Sequence, residues 1–128
     1  MKAWHSMESR PKTLFVDIDG TLLYQFPDAL KQSMVCPKLL PGVVEKLAEW
    51  DKKGYRVILV TGRKESERGS TEEQLHSVGI VYDLMIMGIG SGQRVVINDN
   101  KPGSDTATAA CVCVERNHGI IFEYILCR

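Results

Sequence analysis

Apolar and polar positions change period several times along the 128-residue chain. Thr13 to Asp17 is an apolar run that predicts a buried strand, and it ends in acid within the stretch FVDIDGTLL, Phe15 to Leu23. Tyr24 to Lys38 carries Pro27 and Pro37 and has no clear period, which predicts a loop or small flap. Pro41 to Lys53 predicts the strongest helix, with Leu40, Val43, Val44, Leu47, Ala48 and Trp50 assigned to one face. Pro41 suits its first turn, Lys52 and Lys53 complement the negative end of its dipole, and Gly54 stops it. Val57 to Val60, in YRVILVTGR, predicts a second buried strand. Another helix is expected to start near Ser70 or Thr71, with Glu72 and Glu73 in its first turn and Gly79 at its end.

Further strands are expected at Leu84 to Met87, Arg94 to Asn98 and Ala110 to Val114. The final stretch, IIFEYILCR, is apolar on nearly every side and fits strand or helix equally. Strands alternating with helices give right-handed βαβ units. They predict an α/β, Rossmann-like three-layer sandwich with a mainly parallel central sheet. Ligands of such sheets bind beyond the carboxyl ends of the strands. Asp17, Thr61 and Asp99 each close an expected strand, so all three are expected on one rim.

Composition narrows the classes of partner. Lys and Arg together number 16, as do Asp and Glu, so no basic excess points to nucleic acid or an anionic membrane. A single domain over residues 1–128 is expected, with 1–12 as an N-terminal extension and 24–38 as the flap. No signal-peptide pattern or membrane-length apolar stretch is visible, which leads to a cytoplasmic expectation with reduced cysteines. Cys111 and Cys113 share a face if their segment is a strand, and they read as small buried side chains rather than half a metal site. His5, His76 and His118 lack partner spacing, and Met85 and Met87 read as strand packing.

The acids carry the chemistry. Asp17 and Asp19 lie two residues apart and would repel each other near a sheet core unless a cation offset the cost. With Asp99 they form a set of hard oxygen ligands suited to Mg²⁺, which takes carboxylates, waters and a phosphate oxygen.

The string DIDGT with its apolar lead-in resembles the first motif, DxDGT, of the haloacid dehalogenase superfamily. The resemblance implies a Mg²⁺-dependent phosphatase. Asp17 would attack phosphorus and Asp19 would serve as general acid and base, its backbone carbonyl joining Asp17 and Asp99 on the metal. Thr61 in VILVTGR matches the second motif as a hydroxyl donor to the phosphoryl group, with the Gly62 N–H beside it. Asp99 in VVINDN matches the fourth, with Asn98 before it and Asp105 as an outer partner. Relatives usually place a lysine upstream of the fourth motif, yet Ser66 to Asn98 contains none. Lys64, Arg94 and Lys101 are the candidates. Lys101 is preferred because it lies two residues past Asp99 on an extended backbone. Arg63 is expected to clamp a phosphate or a distal substrate anion.

The intervals between motifs leave no room for a large cap, so the resemblance implies a capless, open site. Such a site admits large or polymer-linked phosphates, or is covered by a second copy in a homo-oligomer. The chain also resembles small bacterial capless phosphatases of sugar phosphates and capsule precursors, which implies a phosphorylated small molecule such as a sugar phosphate. Two other classes fit less well. A receiver-like phosphoacceptor needs no general acid, and a binding module would have kept the fold without efficient catalysis.

Overall fold

The computed structural model describes residues 10–28 and 31–120. Three strands form one parallel sheet in the order β1 (Thr13–Asp17), β2 (Arg56–Val60), β3 (Leu84–Ile86). Helix α1 (Val43–Lys52) connects β1 to β2, and α2 (Arg68–Ser77) connects β2 to β3. The α/β, Rossmann-like parallel sheet expected from the sequence is therefore present.

Register decides which residues make the core. Val16 pairs with Leu59 and Leu59 with Met85, so these three line up across one face of the sheet. All three are buried, in one cluster with Val43 and Trp50 of α1 and Leu75 of α2. The neighbouring row, Phe15–Ile58–Leu84, points to the reverse face. There Phe15 and Leu84 are each 59% exposed, so that face is open among the described residues.

Both helices end in the same device. Gly54 and Gly79 adopt positive φ, at 75° and 78°. Their N–H groups bond back to Asp51 and His76, while Tyr55 and Ile80 bond back to Trp50 and Leu75. These are Schellman caps, in which glycine takes the left-handed position without steric cost. The buried stripe of α1 is narrower than the sequence suggests. Val43, Leu47 and Trp50 recur at helical spacing, but Val44 is 50% exposed and Ala48 is exposed too. At about 100° per residue, Val44 and Ala48 lie too far round the helix to reach the sheet. Helix α2 starts at Arg68, after a 3₁₀ turn at Glu65–Glu67, so Glu72 and Glu73 lie beyond its first turn.

The larger correction follows β3. Neither Arg94 to Asn98 nor Ala110 to Val114 forms a strand. Val95, Val96 and Ile97 are 72%, 66% and 93% exposed. An apolar run becomes a strand only with a ladder and a packed face, and this segment has neither. Cys111 and Cys113 are likewise exposed rather than buried, with their sulfurs 4.0 Å apart. Most of the closing stretch IIFEYILCR lies outside the described residues. No helix among the described residues is long and apolar enough to cross a membrane.

Candidate active site

The turn after β1 is built around one carbonyl. Ile18 O accepts N–H bonds from Thr21, Leu22 and Leu23 at 3.2, 2.9 and 3.0 Å. Ile18, Leu22 and Leu23 are fully buried and pin the turn, while the flanking Asp17 and Asp19 are only half-buried. Gly20 supplies a φ of 86°, which an L side chain rarely adopts. Apolar anchors inside the turn thus hold two carboxylates outside it, at the carboxyl end of a strand.

Burial pushes the Asp17 carboxyl above its ordinary value of 3.8, and the Asp19 charge adds to the rise. The Ile18 backbone N–H, the Arg94 charge and the Thr21 hydroxyl pull it back. Thr21 Oγ1 lies 3.5 Å from Asp17 Oδ2. Arg94 Nη2 lies 3.9 Å from Asp17 Oδ1 and is the cation paired with this acid among the described residues. Lys101 is exposed and makes no ion pair there.

Asp19 has a different partner. Arg63 Nε donates to its Oδ2 at 2.8 Å and Nη2 to its Oδ1 at 2.7 Å, a two-point grip. The Arg63 side chain is only 4% exposed, and its Nη1 donates to Thr71 Oγ1 at 2.9 Å and Gln74 Oε1 at 2.6 Å. Arg63 therefore does not stand free to clamp a substrate anion. Its guanidinium turns inward, between the first turn after β1 and α2.

Asp17 pairs in register with Val60, which sets Thr61 one step past it on the same rim. Thr61 is 2% exposed, and its Oγ1 accepts the Arg63 N–H at 3.1 Å, leaving its own hydrogen to be donated elsewhere. Gly62 packs against backbone. A Cβ there would stand 2.7 Å from the Gly90 carbonyl oxygen.

Asp99 does not join this group. It is exposed, and its carbonyl accepts the Thr108 hydroxyl at 2.5 Å. No three His, Cys, Asp or Glu side chains stand close enough to hold a metal among the described residues. Without a strand at 94–98, nothing carries Asp99 to the rim. What the rim does offer a cation is the Asp17 carboxylate. Mg²⁺ needs only one or two carboxylates when waters and a substrate phosphate complete its shell, so this donor set fits a cation shared with substrate, not a closed protein cage.

No family model matches the chain. Solved structures do resemble it. Two chains from Pnkp1/Rnl/Hen1 complexes, one described as an RNA repair complex, are 33% and 30% identical over 62% and 66% of this chain, with TM-scores of 0.54 and 0.52. This chain spans only 26% and 30% of their lengths. A D,D-heptose 1.7-bisphosphate phosphatase from B. bronchiseptica, complexed with magnesium and phosphate, is 17% identical with a TM-score of 0.50. The match covers 77% of this chain and 56% of that one. A Vibrio cholerae protein is 21% identical over 69% of this chain and 79% of its own, with a TM-score of 0.50. The chain has the haloacid dehalogenase fold.

Within this haloacid dehalogenase fold, one clasp escaped the sequence reading. Asn117, at φ 65°, donates its backbone N–H to Gly20 O at 2.8 Å. Its side chain accepts the Gln25 N–H at 2.8 Å and donates to Gln25 O at 3.2 Å. The segment RNHGI thereby locks the acidic turn to the start of the flap. Asparagine two residues before a glycine was the available signal, since Asn tolerates left-handed backbone and mimics a strand partner.

Proposed function

We propose that this chain is a Mg²⁺-dependent phosphatase that hydrolyses a phosphate monoester through an aspartyl-phosphate on Asp17, with Asp19 as general acid and base. One observation carries the reading. Two acids two residues apart sit in different surroundings, Asp17 facing the rim beside Arg94 and Asp19 gripped by buried Arg63. Asp17 is thus the carboxylate open to an incoming phosphate, and Asp19 the one held in a fixed position two residues on.

Asp17 Oδ attacks phosphorus while the bond from phosphorus to the ester oxygen breaks. Asp19 gives its proton to the departing oxygen. In the second half, Asp19 takes a proton from water, whose oxygen attacks phosphorus and releases phosphate and the Asp17 carboxylate. Arg94 takes the place expected of Lys101, drawing the phosphate toward Asp17. Thr61 Oγ and the Gly62 N–H suit the phosphoryl oxygens as donors. Bound Mg²⁺ would supply charge neutralisation between the Asp17 carboxylate and the substrate phosphate.

The test is a panel of phosphate esters assayed with and without Mg²⁺. Sugar phosphates lead it, and RNA ends bearing a terminal phosphate follow, because the similarity to chains of an RNA repair complex favours them as a second substrate class. Turnover is expected to require Mg²⁺ and to vanish in Asp17→Asn with the fold intact. If Asp17→Asn hydrolyses the same ester at the parent rate, the mechanism is wrong. Phosphate retained for minutes after transfer would indicate a receiver-like phosphoacceptor instead. Mg²⁺ binding without hydrolysis of any ester would indicate a binding protein.

A further inference from the structure

The flap is fastened to the body by a few side-chain bonds, and one residue joins it to the acid. Within the flap, Gln32 closes a small ring, donating through Nε2 to Tyr24 O at 2.6 Å and accepting the Phe26 N–H at 3.1 Å. Ser33 Oγ then donates to Glu67 Oε1 at 2.6 Å. The deeper tie is Gln74 on α2, which is 6% exposed. Its Nε2 donates both hydrogens to flap carbonyls, Gln32 O at 2.9 Å and Val35 O at 2.7 Å. Its Oε1 accepts from Arg63 Nη1 at 2.6 Å. Arg63 in turn spends Nε and Nη2 on the two oxygens of Asp19.

The geometry points to Gln74 as a positioning residue that couples the flap backbone at Gln32 and Val35 to the Asp19 carboxylate through Arg63. The amide has one workable orientation. Turned over, it would set its oxygen against two carbonyls and its hydrogens against a guanidinium. A displacement of the Gln32–Val35 backbone therefore pulls on Gln74, and Gln74 shifts the guanidinium that fixes Asp19. Tyr24 and Phe26, in edge contact at 4.9 Å between ring centres, stand on the segment that would sense a substrate. Substrate contact with the flap is thus transmitted to the group that protonates the leaving oxygen. This inference rests on the assignment of Asp19 as general acid.

The experiment uses the full chain with Mg²⁺ and two esters, p-nitrophenyl phosphate and a simple alkyl phosphate. The quantity compared is kcat/KM, which reads the first phosphoryl transfer. Gln74→Glu keeps an acceptor for Arg63 but repels the two flap carbonyls, and Gln74→Met removes both links at similar volume. A misplaced general acid hurts the poor leaving group most. Each variant is expected to lose about tenfold or more on the alkyl ester, and less than about threefold on the aryl ester. Equal losses on both esters, no loss on either, or variants that no longer melt cooperatively would make Gln74 merely structural and overturn the inference. A parent chain that hydrolyses neither ester removes the phosphatase assignment, and this inference with it. An active parent whose ester ratio is unchanged in the variants removes this inference alone.

Discussion

Arg63→Met takes away the donor of four side-chain hydrogen bonds at 2.6–2.9 Å while keeping most of the side chain's volume. The cost can be apportioned. Thr71 and Gln74 are neutral acceptors, so each loses no more than an ordinary hydrogen bond, about 1 kcal/mol. Asp19 is charged and loses more. Its side chain is 18% exposed, and no other cation is paired with it among the described residues. Breaking a buried ion pair from one side typically costs about 3–5 kcal/mol, because the remaining charge is left without compensation. Water reaching Asp19 favours the lower half of that range. Since domains of this size lose roughly 3–5 °C of Tm per kcal/mol, the melting temperature is expected to fall by roughly 10–20 °C. Arg63→Lys, which keeps the charge but not the planar fork, is expected to fall in between. Urea unfolding of Arg63→Met, Asp19→Asn and the double variant gives the coupling between the two residues, expected near 2 kcal/mol, the upper part of the usual range of about 0.5–3. A loss below about 1 kcal/mol for Arg63→Met, or a coupling near zero, would show that the pair is no more than a surface contact and refute the reasoning.

Burial raises the Asp17 pKa above 3.8, so the folded chain holds this proton to higher pH than the unfolded chain does. The associated stability is fully present below 3.8 and is lost as pH rises through the folded value. Asp17→Asn is therefore expected to melt above the parent at neutral pH, with the gap closing toward pH 4 in a series of thermal scans; a gap constant with pH would contradict the shift. Arg94→Gln removes an ion pair at 3.9 Å whose side chains are 42% and 45% exposed, so stability should change by no more than about 1 kcal/mol. Phosphatase KM should nevertheless rise, and a change in Tm without a change in KM would make Arg94 a structural cation only. Asn117→Ala loses two bonds to the Gln25 backbone and puts alanine at a φ of 65°, whereas Asn117→Gly loses the bonds alone. Unfolding should show a loss of about 2–3 kcal/mol for alanine and about 1 kcal/mol less for glycine.

The parts of the fold that were legible in the sequence are those where local chemistry and packing agree. Apolar runs at Thr13–Asp17 and Arg56–Val60 are strands because each has a helix to feed and a neighbour to pair with. Gly54 and Gly79 marked the helix ends because the Schellman turn demands a left-handed residue. Asp17 and Asp19 were legible for the opposite reason, since carboxylates two residues apart at a strand end are too costly to be incidental. The start of α2 was not legible. Its buried residues are Thr71, Gln74 and Leu75, two of them polar, so the helix shows hardly any apolar stripe. Those polar residues face inward because Arg63 does. An arginine three residues past a strand end can turn toward the rim or toward the core, and the choice lies with partners on another element.

The identity of the cation beside Asp17 shows how a false strand misleads at a distance. The case for Lys101 depended on extended backbone from Asp99, so that both side chains would point the same way. With no strand at 94–98, that parity argument has no basis. Arg94 reaches Asp17 by another route. Gly88 N–H bonds to Arg63 O at 2.7 Å and Ile89 N–H to Thr61 O at 3.2 Å, so the chain leaving β3 is sewn across the end of β2. Gly90 then lies against Gly62 so closely that neither backbone tolerates a side chain at 62. Four residues of extended chain span at most about 14 Å, enough to bring residue 94 back over the rim from that anchor. The position of the positive charge is thus set by the contact of a glycine with a backbone carbonyl rather than by spacing from an acid. Widening that contact should move the cation away from Asp17 before it disturbs either strand.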